Sequence, residues 1–163
     1  NAGHLTILLH NGQWNIFFDF RYNASRIEKQ LSSSDQFLKA SRMCMDSDLP
    51  LAAIDNLYDA VQMMAKCFLL FMPDKKTLEA KTHGFIEINF NLHGKLGLVA
   101  EEHVVLLNEL SALRPKTRYA PDPLHVPPET LRSLLVRAET MRAKLEADRP
   151  KRFHPKNHIG PAG

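Results

Sequence analysis

The chain has 163 residues, with 21 Lys and Arg against 18 Asp and Glu, for a formal charge of +3. Residues 149–163 hold Arg149, Lys151, Arg152 and Lys156 and no carboxylate, so this end carries +4, while residues 1–148, with 17 basic and 18 acidic groups, carry −1. A nearly neutral body excludes a uniformly basic protein that coats nucleic acid, and 44% hydrophobic with 24% charged residues is the composition of a globular domain that buries a core.

Two cysteines, Cys44 and Cys67, are too few for a disulfide framework. Both fall in apolar periodic stretches, which reads as buried thiols in a reducing, cytoplasmic setting. The longest wholly apolar run, Cys67 to Met72, stops at Pro73, well short of a membrane span. No basic segment followed by an apolar one opens the chain, so no signal peptide is expected. The start at Asn1 rather than Met leads us to expect a trimmed chain or a fragment of a longer protein.

Residues 1–22 form the first unit. HLTILLH and QWNIFFDF flank Asn11-Gly12, and Asn-Gly between two β-rich runs predicts a hairpin, because both residues tolerate the positive φ of its turn. A lone hairpin is marginal in water. It must therefore pack on the body, pair with another chain, or close an upstream domain.

The body runs over 23–148. Ser25 and Glu28 have the spacing of a capping box, and Ile27, Leu31, Leu38 and Met45, with Ser34 and Ser41 between, repeat on one helical face. Pro50 opens a second helix at its first turn. There Ile54, Leu57, Tyr58, Val61, Met64, Ala65 and Phe68 are core positions, and Asp55, Asp59, Gln62 and Lys66 form a narrow polar stripe. A helix so apolar belongs at the centre of a bundle. Met43, Met45, Met63, Met64 and Met72 read as core filler. Thr82 to Gly97 alternates strictly, with Ile86, Ile88, Phe90 and Leu92 against Glu87, Asn89, Asn91 and His93, and read alone it is a strand. The other reading is a helix with Phe85, Ile88, Leu92 and Leu96 on one side. Val104, Leu107, Leu110 and Leu113 then give a helix expected to end near Arg114, before Pro115. After a Pro-rich loop, Leu131, Leu134, Leu135, Ala138, Met141 and Leu145 mark the apolar face of a last helix that Pro128 and Glu129 begin. Pro150, Pro155 and Pro161 predict an irregular basic tail over 149–163.

The order of these pieces carries a family resemblance. LAAIDNLYDAVQMMAKCFLL is followed by KTHGFIEINFNLHGKLGL, a Leu-rich helix closing in LSALRPKTRY, and PPETLRSLLVRAETMRAKLEA. Over residues 23–147 the chain resembles the HEPN (higher eukaryotes and prokaryotes nucleotide-binding) domains, on Asn56-Leu57-Tyr58-Asp59-Ala60 and on Arg114 with Arg118-Tyr119. The resemblance implies an all-α, up-and-down bundle of four to five helices, often dimeric, to which the hairpin is an extension. It also implies a helix over Thr82 to Gly97.

In the family's ribonucleases an Arg precedes a His by four to six positions, and the two meet across a dimer in a metal-independent site. A guanidinium there steadies phosphate charge while an imidazole handles a proton. Arg114 matches the Arg, Pro115 replaces its polar neighbour, and Tyr119 stands where the closest-spaced His would. A phenol with an ordinary pKa of about 10 is a poor base at pH 7. His125, eleven positions past Arg114, is too far along for the motif. The resemblance thus leaves Arg114 and Tyr119 as a catalytic pair that lacks its imidazole. Arg114, Lys116 and Arg118 form a candidate phosphate-binding patch. The alternative for these three cations is a solvated set favoured by the C-terminal helix dipole. Asp55 and Asp59 are expected to be partnered by a Lys or Arg of a neighbouring helix. The eight histidines lack the spacing and Cys partners of a zinc site, so neither metal nor cofactor is expected. His83 is expected to start a helix or line the bundle.

The reading is a dimerising module that acts with RNA, nucleotides or a nucleotide-handling partner, non-catalytic or weakly catalytic. Its rivals are a divergent ribonuclease and a purely structural association domain of a larger protein.

Overall fold

A computed structural model describes residues 3–10, 12–20, 23–71, 77, 79, 82–119 and 125–153. Two strands, β1 (Gly3–His10) and β2 (Gln13–Phe20), precede five helices among these residues. The helices are α1 (Ala24–Asp46), α2 (Pro50–Leu70), α3 (His83–Lys95), α4 (Glu101–Tyr119) and α5 (Pro128–Phe153). They form a helical bundle. β1 and β2 pair antiparallel, with Ile7 opposite Ile16 and Leu9 opposite Trp14, and Gly12 adopts φ +75°, the left-handed region open to glycine.

α2 contacts all four other helices and supplies the middle of the core. Every core position read from its sequence is buried. Full burial of a large apolar side chain contributes about 1.5–3 kcal/mol, so α2 supplies much of the driving force for folding. On α1 the buried positions are Ile27, Leu31, Ser34, Leu38 and Ser41. The two serines are small enough to let α2 approach, and Ser41 Oγ donates to the Ala53 carbonyl at 2.9 Å. Arg142 of α5 grips Asp35 of α1 through two hydrogen bonds of 2.7 and 3.0 Å, and Arg42 of α1 reaches Glu139. Cys67 is a buried free thiol whose pKa burial pushes up to about 12; Cys44 is half-buried and also free.

Five local expectations are corrected. The α1 cap is Asn23 in the left-handed region (φ 65°), with Ser25 inside the first turn, so the Ser25–Glu28 box does not start the helix. Asn23 instead turns its Nδ2 to the Leu70 carbonyl at 3.2 Å, serving one of the orphan acceptors at the end of α2. The stretch 83–95 is helix, and the face proposed for it points the wrong way. Ile86 and Phe90 are buried, while Ile88, Leu92 and Leu96 are 71%, 49% and 62% exposed. The alternating apolar residues are thus split between two sides of a helix. Asn89 and Asn91 bond the carbonyls of Phe85 and Glu87 one turn back, which offsets their poor helix propensity. α4 passes through Pro115 to Tyr119, because a proline so near a helix end forfeits one amide bond and little else. α5 likewise passes Pro150 to Phe153, so the tail begins as helix; residues 154–163 lie outside the described residues. Met43 is exposed rather than core, and Met72 lies outside the described residues.

α3 and α4 meet closely. Asn91 and Asn108 exchange two amide hydrogen bonds (3.0 and 2.8 Å), and a Cβ on Gly94 would stand 2.7 Å from Val104 Cγ2. On the other side of α4, His103 is buried with its ring 5.7 Å from that of Phe68, and its Nε2 has no hydrogen-bond partner. Burial is the main reason its pKa falls below 6.5; Glu102 and Asp148 pull it up and Lys144 pushes it down. The native imidazole is therefore neutral where the unfolded one begins to take a proton. Unfolding is favoured as pH drops below about 6.5, and the full stability is present above that value. His103→Leu should flatten this loss: the urea midpoint of the variant should fall less than that of the parent between pH 7.5 and pH 5.5.

Candidate functional site

The candidate site is built where the C-terminal part of α4 crosses α2 and α3. Arg114 lies one turn before the end of α4, with its side chain only 19% exposed. Its guanidinium carbon sits 4.4 Å over the centre of the Tyr58 ring, a cation–π geometry. Nη2 is 3.4 Å from Asp59 Oδ1, and Nε is 3.8 Å from Asp55 Oδ1. The expectation that these two carboxylates take a cation from a neighbouring helix is met, and the cation is Arg114. Both ion-pair distances exceed a good hydrogen bond, and the buried Arg114 Nε has no hydrogen-bond partner.

Tyr58 is the hinge of the cluster. Its hydroxyl donates to Glu87 Oε1 at 2.7 Å, and Ser111 Oγ donates to the same oxygen at 2.9 Å. Burial first, and then the bond to and charge of Glu87, hold the Tyr58 phenol well above its ordinary pKa of 10.0, against a smaller opposite pull from Arg114. Such a phenol is a donor and not a base. Thr117 closes the lower side, its Oγ1 lying 2.6 Å from the Arg114 carbonyl and 3.2 Å from Asp55 Oδ1. His83, the first residue of α3, places its ring 5.8 Å from that of Tyr58 and is exposed. The cluster gathers three carboxylates, Asp55, Asp59 and Glu87, around Tyr58 and the Arg114 guanidinium.

No protein-family model matches the chain, and no curated protein matches it significantly.

Of the residues read as a site from sequence, Arg114 is placed in full. Lys116, Arg118 and Tyr119 continue the helix, and their side chains lie outside the described residues. His125 is exposed at a cleft of about 420 Å³ with Asp46 and Asp48 of the α1–α2 turn, away from the Arg114 cluster. Among the described residues no group of three His, Cys, Asp or Glu could hold a metal ion, and no helix is long and apolar enough to cross a membrane. The sequence reading missed Tyr58, Glu87, Ser111 and Thr117 as parts of one network. By sequence Tyr58 is core and Asp59 is stripe, and only the position of α3 brings Glu87 to the phenol.

The geometry makes Arg114 a strut between α2 and α4. Arg114→Ala should remove the guanidinium that lies against half-buried Asp55 and Asp59, lowering stability by about 1–3 kcal/mol in urea unfolding. Adding Asp59→Asn should recover part of that loss, whereas an unchanged midpoint in Arg114→Ala would show that the strut carries no load.

Proposed function

We propose that the chain is a HEPN-like dimerising module that acts with RNA, nucleotides or a nucleotide-handling partner and has no ribonuclease centre of its own. The observation that carries this reading is the commitment of Arg114 to Asp55, Asp59 and the face of Tyr58. A guanidinium that must steady phosphate charge in a transition state needs an open approach and an imidazole beside it. Here its partners are internal carboxylates, and the position four or five residues on holds Arg118 and Tyr119. Lys116 and Arg118 supply cationic charge near the helix end for binding rather than cleavage.

The outward side of α3 suits a second copy. Ile88 and Leu92 lie one turn apart, Leu96 continues their line, and between α3 and α4 runs the uncharged Asn91–Asn108 pair. A twofold-related copy would cover this apolar strip.

A second reading, an association domain that extends a neighbour's sheet, is favoured by the strand pair. Ile7, Leu9 and Trp14 share one face by register and are 53%, 59% and 71% exposed.

Two measurements test the proposal. Labelled RNA incubated with the chain should stay intact; cleavage by the parent that Arg114→Ala abolishes, with the fold retained, would make it a ribonuclease. Light scattering at several concentrations should give a dimer that Ile88→Lys with Leu92→Lys converts to monomer. A dimer that survives those changes and dissociates on Leu9→Ser with Trp14→Ser would favour the strand-pair reading.

A further inference from the structure

The cleft beside the α1–α2 turn carries charges of both signs over an apolar floor, and the Arg114 cluster uses none of its residues. Its volume of about 420 Å³ falls in the range of small-molecule sites. Val126 and Leu131 are buried at its floor, with Leu49 and Pro50 beside them. The turn contributes Asp46 and Asp48 to the lining. From the other side, α5 contributes Arg132 and the segment before it contributes His125.

The acidic side is held firmly. α1 ends in a left-handed turn in which the Leu49 amide donates to the Cys44 carbonyl at 2.8 Å and the Asp48 amide to the Met45 carbonyl at 3.1 Å. Asp48 occupies the left-handed position of that turn, at φ 55°, where glycine costs least. Both carboxylates thus stand at the negative end of a helix whose last turn holds no basic residue.

Arg132 has the converse placement, a cation close to the positive end of α5, and Glu129 of the first turn does not line the cleft. Each charge therefore stands where its own helix disfavours it. The side chains of Asp46, Asp48, His125 and Arg132 have no hydrogen bond or ion pair among the described residues. Further along α5, by contrast, Arg137 and Arg142 are each tied to a carboxylate. The two aspartates and His125 do not form a group that could hold a metal ion. What fits is an organic cation on one side, a carboxylate on the other, and hydrocarbon between them.

We propose that this cleft binds a small zwitterion with an aliphatic side chain, a free amino acid or a dipeptide. Asp46 and Asp48 take its ammonium group, Arg132 with His125 takes its carboxylate, and its side chain lies on Val126 and Leu131. The ligand has no net charge and releases no counterion atmosphere, so its affinity should depend little on salt, unlike that of a nucleic acid. The site is independent of the HEPN-like reading.

Calorimetry on the full chain with leucine, leucyl-leucine, leucinamide and N-acetylleucine tests the assignment. Saturable binding of leucine or of leucyl-leucine is expected, and the tighter of the two identifies the free amino acid or the dipeptide as the source. Leucinamide lacks the carboxylate and N-acetylleucine the ammonium, so each should bind about tenfold more weakly than the preferred zwitterion, the usual worth of a charge-assisted hydrogen bond. Asp48→Gly separates binding from folding. It removes a carboxylate but supplies the residue the turn favours, so the thermal midpoint should hold or rise while affinity falls about tenfold. Arg132→Gln, at an exposed helix position, should cause a similar loss with the fold intact. In the parent chain the backbone amide resonances of Asp48 and Val126 should shift on titration. The proposal is overturned if neither zwitterion binds the parent, if either blocked analogue binds as tightly as the zwitterion, or if either variant binds like the parent.

Discussion

Burial of α2 by four other helices is the constraint on which the rest of the structure depends. A helix surrounded on so many sides has almost no room for polar groups, and each one it keeps must find a partner or an opening. α2 keeps four on one line, Asp55, Asp59, Gln62 and Lys66, all of them half-buried. The carboxylates of the Arg114 cluster lie along that line. At one end Arg114 closes it from α4; at the other it opens between α1 and the start of α3.

The neighbours are arranged to serve this helix. Asn23 reaches from the start of α1 to the last carbonyl of α2, and Ser41 reaches the Ala53 carbonyl near its beginning. These two side-chain bonds hold α1 along α2 at both ends. Gly94 lets α4 close on α3, and the Asn91–Asn108 and Glu87–Ser111 bonds follow along the same seam. That seam sets the position of Glu87 against Tyr58, and Tyr58 in turn supports the guanidinium of Arg114. A strained or loosened α3–α4 contact would therefore be felt at Arg114 without touching it.

Much of this was legible in the sequence, for physical reasons that differ from element to element. α2 and α5 declare themselves because burial on a fixed face demands 3.6-residue periodicity, and the partner for Asp55 and Asp59 could be expected because half-buried carboxylates need a cation. α3 was misread from its local pattern because strict alternation of apolar residues is what a helix also shows when two of its faces are apolar, one turned inward and one outward. Helix ends were misread wherever a rule assigns the decisive weight to one residue. Pro115 and Pro150 stop nothing, since so near a terminus the lost amide bond is a small fraction of the helix. Asn23, not Ser25, is the α1 cap, and its side chain serves Leu70, forty-seven residues away in sequence, which no local motif records. For the same reason the Tyr58–Glu87 bond is hidden: it joins residues of separate helices and has no spacing to read.

The opposite charges at the two ends of the α2 stripe can act independently. Asp59 and Lys66 are seven residues apart, which along a helix is about 10 Å. That exceeds the screening length of about 8 Å at physiological ionic strength. The acidic end is also partly neutralised on the spot, because Arg114 lies against both of its aspartates. If Arg114 were removed, the cost would fall where α4 crosses α2, while Lys66, more than a screening length away, would feel little of the change.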